Sequence, residues 1–422
     1  MVSRRTPIPP VDPCTNAVLD SLCNQRVFIE TYGCRYNFGD SAKLAEILRH
    51  NGNIIVNSEE EADAVIVNTC TVVGPTERRM LRRLSQLRER NLYVTGCMPA
   101  VQCEAILAVC TPTIIPPDTI QEKYRSIRTV SGEGVGIVQV AQGCQGACTY
   151  CITRFARGPL RSFSLPEIRG QVQAYVEKGT PEIQLTAQDV SAWGMDSGQT
   201  LAELLTELNS VPGNFMLRVG MMNPATVMRD LESIIEAFAG DHIFKFIHLP
   251  AQSGSDSILK KMGRMYSVQD FEDIVSAFRK ACPEITLMTD MIVGFCGETE
   301  NDFTESLDLI RRIRPNKVNI TRYSARPFTP VATEPDFPDS VKKGRSRAMN
   351  ILAEKVYLEM NRPHLNRRVS IRVTEKIRDG SVMARTHEYC GVVINEDLPI
   401  GYEGVAFLKN DRKYFFIGEL GK

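Results

Sequence analysis

The sequence predicts an α/β protein built in three parts: an N-terminal parallel α/β domain, a central open barrel of six β/α units, and a small C-terminal antiparallel β-barrel. Strand-like apolar runs alternate with amphipathic helical patterns over residues 25–330, which is typical of parallel sheets. The six central units are too few for a closed eight-stranded barrel, so we expect an open one. Five short strand patterns follow residue 362 and indicate the small barrel.

Composition narrows the class of protein. The 422 residues are 43% hydrophobic and 24% charged, as in globular proteins of two or three domains. No apolar run approaches the ~20 residues that span a bilayer, and residues 1–13 contain no secretory signal. We therefore expect a cytoplasmic protein without membrane contact. In a reducing compartment its 13 cysteines serve as metal ligands, catalytic groups or buried residues rather than disulfides.

The charge is balanced overall but not along the chain. The net charge is zero, whereas residues 341–422 carry 16 Lys and Arg against 10 Asp and Glu. A basic C-terminal segment on a neutral chain is a hint of an appended module that binds a polyanion.

The N-terminal third contains three apolar runs that each end in a cysteine. Residues 1–24 hold four prolines and are predicted to be a flexible arm. The runs 27–34, 64–70 and 92–97 then alternate with helical patterns at 41–50 and 76–90, a βαβ arrangement. Because parallel strands end at one edge of their sheet, Cys34, Cys70 and Cys97 are expected to meet there. The alternative is three unrelated core cysteines.

The central part, residues 134–330, alternates six strands with helices. The predicted strands are 135–140, 182–186, 215–219, 244–248, 285–293 and 317–323. The helices between them include 165–177, 201–208, 226–238, 267–280 and 299–312. Side chains at the carboxyl ends of these strands should form the functional site.

A C-x3-C-x2-C motif follows the first central strand. Cys144, Cys148 and Cys151 on one tight loop can hold three irons of a cubane cluster and leave the fourth iron open. The alternatives are a partial zinc knuckle or buried core thiols. Zinc sites usually contain C-x2-C pairs with a second pair or histidines, which this sequence lacks. The spacing therefore favours an iron–sulfur site.

This motif resembles that of the radical S-adenosylmethionine (SAM) superfamily. The resemblance implies a [4Fe–4S] cluster whose open iron binds SAM and whose electron cleaves SAM to a 5′-deoxyadenosyl radical. It also implies that Tyr150, the residue before the last cysteine, lies near the adenine of SAM. Polar side chains at strand ends are candidates for holding SAM, because its methionine end needs carboxylate and amine partners. They are Gln188, Arg218, Gln252 and Asp290, with Asp189, His248 and Arg264 as further candidates.

A second resemblance covers nearly the whole chain after the arm. The segments 31–37 (TYGCRYN), 68–70 (NTC) and 96–98 (GCM) are similar to the N-terminal domain of the methylthiotransferase family. The central segments 248–259, 289–299 and 325–332 also resemble methylthiotransferase segments, although Cys296 stands where the family usually has proline and Phe328 where it usually has glycine. The resemblance implies that Cys34, Cys70 and Cys97 bind an auxiliary [4Fe–4S] cluster, which faces the first cluster across a shared cavity.

Basic residues in two places favour RNA as the substrate. Arg154, Arg157 and Arg161 follow the cysteine motif and suit a nucleic-acid backbone or an anionic group. The C-terminal strands, predicted at 369–374, 382–384, 391–394, 402–408 and 413–417, resemble the TRAM module, a small RNA-binding β-barrel. Arg367 and Arg368 would contact phosphates there. The predicted divisions are a methylthiotransferase domain at 25–128, a radical SAM domain at 129–345, a linking helix at 346–361 and TRAM at 362–422.

The resemblance implies a tRNA-modifying transferase. Such an enzyme inserts a methylthio group at C2 of adenosine 37, beside the anticodon, with two SAM molecules and two clusters. The residues after Cys151 resemble the subgroup that acts on N6-threonylcarbamoyladenosine, whose carboxylate suits Arg154 or Arg157. Alternative substrates are isopentenyladenosine in tRNA and an aspartate of a ribosomal protein.

Two hypotheses that assign the chain to other classes of protein also stay open. One is a radical SAM enzyme of other chemistry, in which the auxiliary cluster only transfers electrons. The other is a non-catalytic RNA-binding protein with structural zinc. The methylthiotransferase reading requires an electron donor and a sulfur donor that the sequence does not identify, and we expect a monomer. No role is assigned to Cys14, Cys23, Cys103, Cys110, Cys282, Cys296 or Cys390, although Cys103 and Cys110 are expected to pack in a helix.

Overall fold

A computed structural model of the chain describes residues 16–72, 74–127, 129–130 and 134–421. The chain divides into two compact units, one that runs to Val130 and one that begins at residue 131. Within the described ranges no helix combines the length and the apolar character needed to cross a membrane.

The first unit is a parallel five-stranded sheet with helices packed against it. Its strands are β1 Arg26–Thr31, β2 Ile54–Val56, β3 Ala64–Thr69, β4 Leu92–Gly96 and β5 Thr113–Ile114, in the spatial order β2-β1-β3-β4-β5. Its helices are α1 Asn16–Ser21, α2 Arg35–His50, α3 Gly74–Gln86, α4 Met98–Leu107 and α5 Pro117–Ile127. The central strand β3 is buried at every residue, because helices cover both faces of such a sheet.

The predicted arm is wrong in its described part. Residues 16–21 form α1, and Leu19 and Leu22 are fully buried in the core of the unit. Cys14 and the rest of the predicted arm lie outside the described residues. Cys110 lies beyond the end of α4, so it is buried in a loop rather than in the predicted helix.

The second unit contains the predicted open barrel. Its strands up to residue 322 are β6 Val135–Gln139, β7 Ala141–Gln142, β8 Arg161–Ser162, β9 Glu182–Thr186, β10 Met216–Arg218, β11 Phe246–His248, β12 Thr286–Val293 and β13 Lys317–Arg322. Six of them form two parallel three-stranded sheets, β10-β9-β6 and β11-β12-β13. Isolated parallel bridges, Leu217 with Ile243 and Met221 with His248, connect the β10 side to the β11 side. The partial (β/α)6 barrel is therefore confirmed. The antiparallel β7–β8 pair, which flanks the cysteine motif, was not predicted.

The helices of this unit are α6 Thr153–Arg157, α7 Leu165–Glu177, α8 Leu201–Asn209, α9 Pro224–Val227, α10 Leu231–Ala237, α11 Asp256–Lys261, α12 Val268–Ala281, α13 Glu300–Ile313 and α14 Asp339–Asn361. Capping boxes at Thr200, Ser267 and Thr299 fix the starts of α8, α12 and α13, because they satisfy the first free backbone amides. The single helix predicted at 226–238 is wrong: a 3-10 turn at Met228–Asp230 separates α9 from α10. The predicted boundary between residues 345 and 346 falls inside α14.

Five C-terminal strands close into the predicted small barrel. They are β14 Arg368–Arg378, β15 Ser381–Arg385, β16 Gly391–Ile394, β17 Glu403–Asp411 and β18 Phe415–Leu420, in the closed order β14-β15-β16-β18-β17. The barrel is not wholly antiparallel as predicted, because β16 and β18 pair in parallel. Its architecture is consistent with a TRAM module.

A loop of the small barrel inserts among the first residues of the central strands. Tyr389, between β15 and β16, packs its ring against Phe244 and Phe246 at centroid distances of 4.9 and 5.0 Å. Its hydroxyl donates to Glu182 Oε1 at 2.6 Å and accepts from Gln184 Nε2 at 3.1 Å. We call residues 386–390 the plug loop. It covers apolar side chains that the open barrel would otherwise expose at the end opposite its carboxyl edge.

Candidate active site

The three N-terminal cysteines lie at one edge of the first sheet. Cys34 is the N-cap of α2 just after β1, Cys70 follows β3 directly, and Cys97 follows β4. These strands are adjacent, parallel and in register, with Thr31 opposite Asn68 and Thr69 opposite Gly96. Burial, and to a smaller extent the charges of Cys97 and Cys34, raise the pKa of the Cys70 thiol to about 12. The structure thus brings the predicted trio together.

Two asparagines tie the cysteine loops to one another. Asn37 Nδ2 donates to the carbonyls of Tyr32 and Thr69, both at 2.9 Å, and Asn68 Nδ2 donates to the Asn37 carbonyl at 2.8 Å. Both asparagines are buried, so their visible role is to position the loops. Gly96 is also required, because its φ is +93° and an added Cβ would lie 2.3 Å from the Thr69 carbonyl oxygen.

The donor set of this trio fits a cluster better than a single ion. Within the described ranges, no three His, Cys, Asp or Glu side chains converge on one point as ligands of a single metal ion do. In a cubane each cysteine binds a different iron, so the sulfurs need not converge. Burial is the main cause of the raised pKa of Cys70, with smaller contributions from Cys97 and Cys34. A bound cationic core would stabilise the thiolate form at this edge.

The C-x3-C-x2-C motif is held between β7 and α6. Gly146 N donates to Cys144 Sγ at 3.2 Å, and burial, with smaller contributions from Asp189 and the other two motif cysteines, raises the pKa of Cys144 to about 11. Gly143 has a φ of +80°, and an added Cβ would lie 1.9 Å from the Pro159 carbonyl oxygen. Only glycine fits there, which explains the tight turn before the first thiol.

A buried arginine contacts this motif. Arg264 Nη1 donates to Cys148 Sγ at 3.2 Å, and its Nε donates to the Tyr266 hydroxyl at 3.0 Å. The charge of Arg264 also lowers the pKa of Asp189 and of Asp290 relative to what burial alone would give. These groups therefore belong to one electrostatic site. From the sequence, Arg264 was only a further SAM-binding candidate. Its contact with Cys148 could not be predicted, because the two residues lie far apart along the chain.

The predicted SAM-binding residues divide into two groups. Asp290 is well placed: it accepts from His248 Nε2 at 2.8 Å and Asn319 Nδ2 at 2.6 Å. Burial raises its pKa, but these partners offset burial and hold the pKa below its usual range. The contact with Asn319 was missed, since nothing in the sequence of β13 singles that residue out. Gln252 lies beside this group, where its N–H donates to the Asp290 carbonyl at 2.8 Å and its φ is +68°.

Three other candidates are engaged within the fold. Gln188 Oε1 accepts from Gly143 N at 2.7 Å, so Gln188 supports the cysteine loop. The Arg218 guanidinium lies 4.7 Å from the ring centroid of Phe246 and 5.8 Å from that of Tyr389. Tyr150 packs edge to face on Phe295 at 6.0 Å. Their direct contact with SAM stays a prediction.

The predicted RNA-binding arginines differ in exposure. Arg157 is buried, with 4% of its surface exposed, so it does not present its guanidinium to a polyanion in this conformation. Arg154 is partly exposed, and Arg161 and Arg368 are exposed. Arg367 is also exposed and lies 3.8 Å from Glu284. Contact of the last four with RNA stays a prediction.

Two family models match the parts of the chain that contain the two cysteine trios. A model of the radical SAM superfamily matches residues 138–310, which include the C-x3-C-x2-C motif and most of the open barrel. A model described as Uncharacterized protein family UPF0004 matches residues 26–114, which include the N-terminal trio.

Similar proteins occur in archaea and animals. Proteins named "Probable threonylcarbamoyladenosine tRNA methylthiotransferase" from Pyrococcus horikoshii and Archaeoglobus fulgidus are 39% and 37% identical to this chain. Each match covers 94% of this chain, with 99% and 98% of the relative. The human threonylcarbamoyladenosine tRNA methylthiotransferase is 32% identical over 77% of this chain and 62% of its own length.

Among solved structures, the radical SAM methyltransferase TsrM from Kitasatospora setae aligns with a TM-score of 0.50 over 73% of this chain and 77% of its own, at 14% identity. At that identity the likeness concerns the fold alone. The full-length similarity to the archaeal proteins carries further. The chain belongs to the family of radical SAM threonylcarbamoyladenosine tRNA methylthiotransferases.

Proposed function

We propose that this protein transfers a methylthio group to C2 of N6-threonylcarbamoyladenosine at position 37 of tRNA. The proposal depends on two cysteine trios, each of which follows strand ends in its own domain. The chain is also similar to threonylcarbamoyladenosine tRNA methylthiotransferases along nearly its whole length. A shared cavity between the trios remains a prediction, because they belong to separately described units.

Each trio is assigned one [4Fe–4S] cluster. Cys144, Cys148 and Cys151 would hold the cluster that binds SAM, and the trio after β1, β3 and β4 would hold the auxiliary cluster. When bound together with SAM, the clusters would supply the one-electron chemistry that a C–H bond without an acidic proton requires. The methyl group would come from SAM, and the sulfur would come from the sulfur donor. The fit is supported by the donor sets and by the glycines that allow the loops to close.

The side chains around the motif prepare this site. Arg264 places a positive charge on Cys148 Sγ, which offsets the charge of a thiolate. Asp290, fixed by His248 and Asn319, offers a carboxylate to an amino group such as that of SAM. Tyr150 packs in an apolar cluster that includes Phe295, and this packing excludes water from one side of the motif.

Arg154 is the proposed partner of the threonylcarbamoyl carboxylate. Arg154 is partly exposed and lies three residues after Cys151 in the sequence, whereas Arg157 is buried. The test compares Arg154→Ala with wild type on tRNA carrying threonylcarbamoyladenosine and on tRNA carrying isopentenyladenosine. Arg347→Ala, which removes an exposed arginine of α14 outside the predicted RNA contacts, is the matched control and should keep its activity on both tRNAs. Equal losses on both tRNAs would remove the argument.

The activity itself is tested with protein reconstituted anaerobically with iron and sulfide. We would incubate it with SAM, a reductant, sulfide as the sulfur source and tRNA carrying threonylcarbamoyladenosine, then digest the tRNA and measure its nucleosides by mass spectrometry. We expect the 2-methylthio nucleoside, and none from variants with alanine at either trio. Product only on isopentenyladenosine, or none on any tRNA, would contradict the proposal. We propose that the reaction takes place in the cytoplasm and that the enzyme is a monomer. The electron donor and the sulfur donor remain to be identified.

A further inference from the structure

Phe328 combines two unfavourable features. Its side chain is 66% exposed, and its φ of +65° lies in the left-handed region, which side chains other than glycine adopt at a cost. Single exposed hydrophobic residues are ordinary. A large aromatic ring held in water by a strained backbone is not, and such strain is concentrated at functional sites.

The ring of Phe328 has an aromatic and a cationic neighbour. Its centroid lies 6.5 Å from that of Phe155, with the planes tilted by 52°. The Arg154 guanidinium carbon lies 5.4 Å from the Phe155 centroid. We call these three side chains the aromatic ledge. It presents ring surface and one positive charge side by side.

The aromatic ledge is fixed to the cysteine motif from both sides. Phe155 belongs to α6, which begins two residues after Cys151. On the other side, Val331 N donates to the Thr149 carbonyl at 3.4 Å, and the Thr329 hydroxyl donates to the Arg326 carbonyl at 2.7 Å. The ledge therefore has a defined place beside the proposed radical site.

We propose that the aromatic ledge is a stacking subsite for a nucleobase next to the modified adenosine. The inference deepens the proposed function and rests on it. For C2 of an adenine to reach a buried reactive site, the adenine must leave the base stack of its loop. The neighbouring base then loses one stacking partner, and an exposed aromatic ring replaces it without a sequence requirement. The adjacent Arg154 charge complements an RNA rather than an apolar peptide.

The test uses two anticodon stem-loop RNAs that both carry threonylcarbamoyladenosine. One RNA has 2-aminopurine on the 5′ side of the modified adenosine, and the other has it on the 3′ side. Stacking quenches 2-aminopurine. With the reconstituted full-length enzyme, we expect quenching of at least one probe. Phe328→Gly and Phe328→Ala should abolish it and raise the KM for the RNA about 5- to 150-fold, which corresponds to the ~1–3 kcal/mol of one stacked base. Phe328→Trp should restore both.

Two features keep this test decisive. Glycine accepts the left-handed φ without strain, so Phe328→Gly should melt no earlier than wild type, and a loss of binding is not a loss of folding. Ile351→Ala removes a similarly exposed side chain, 62% accessible on α14, and should change neither quenching nor KM. Unchanged quenching or KM in the glycine and alanine variants of an active enzyme would overturn the subsite. A wild type that binds and quenches the RNA but makes no product would instead overturn the proposed function.

Discussion

Replacement of Tyr389 by phenylalanine removes a single hydroxyl from the plug loop. That hydroxyl donates to Glu182 Oε1 at 2.6 Å, and Glu182 is fully buried. Burial raises the pKa of Tyr389, so the phenol stays protonated and donates at neutral pH. Glu182 Oε1 keeps a second hydrogen bond, from Gln184 Nε2 at 2.6 Å. The variant therefore loses one of two hydrogen bonds to a buried carboxyl group, which costs ~1–3 kcal/mol. We expect the variant to lose about 2–3 kcal/mol of unfolding free energy, roughly 5–10 °C in Tm.

The assay is selective for the second unit. Trp193 is the only tryptophan of the chain and is fully buried there, so its fluorescence during urea unfolding reports on that unit alone. Tyr414→Phe is the matched control, because this tyrosine of the small barrel is half exposed; we expect a change below about 0.5 kcal/mol. If Tyr389→Phe unfolds at the same urea concentration as this control, the plug loop does not stabilise the central barrel.

Three further predictions concern the motif and its surroundings. Gly143→Ala should lose about half of the bound iron, because its Cβ would overlap a carbonyl oxygen. The control Gly170→Ala, whose Cβ meets nothing within 4 Å, should keep all of its iron and gain ~0.5–1 kcal/mol of stability. Equal iron contents in the two variants would contradict this. Burial raises the pKa of Asp302, but hydrogen bonds from Ser255, Thr299 and Ser257 outweigh burial and hold the pKa below its usual range. The stabilisation is therefore complete above pH ~5 and is lost progressively as the pH falls below ~4. The difference in unfolding free energy between wild type and Asp302→Asn should shrink over that range, and a constant difference would refute the assignment. Arg264→Met removes the donor to Cys148, so the reduction potential of that cluster, followed by EPR during a redox titration, should become more negative; an unchanged potential would show that the contact is absent in the loaded enzyme.

The first cysteine trio was predictable because its geometry depends on short-range patterns. Each of the runs at 27–34, 64–70 and 92–97 becomes a strand that stops just before its cysteine. Parallel pairing in register then places all three at one edge. No knowledge of distant contacts was needed beyond the rule for parallel sheets.

What the sequence could not predict depends on contacts between distant residues. Tyr389 of the small barrel contacts the first residues of the central strands, about two hundred residues away along the chain, and no local pattern indicates this contact. Arg157 lies in a basic segment that suggested a surface, yet its guanidinium is buried. The break between α9 and α10 also escaped prediction, because the helical pattern of residues 226–238 continues through the 3-10 turn that interrupts the backbone.

The central claim, that two separate trios of thiolates each hold an iron–sulfur cluster, is tested most directly by iron content together with Mössbauer spectra of the reconstituted protein. We would compare wild type with two triple alanine variants, one at Cys34, Cys70 and Cys97 and one at Cys144, Cys148 and Cys151. We expect about eight irons per chain for wild type and about four for each variant, with the spectra of the two variants adding up to that of wild type. A variant that keeps all of its iron, or a wild type that binds zinc or only about four irons, would contradict it.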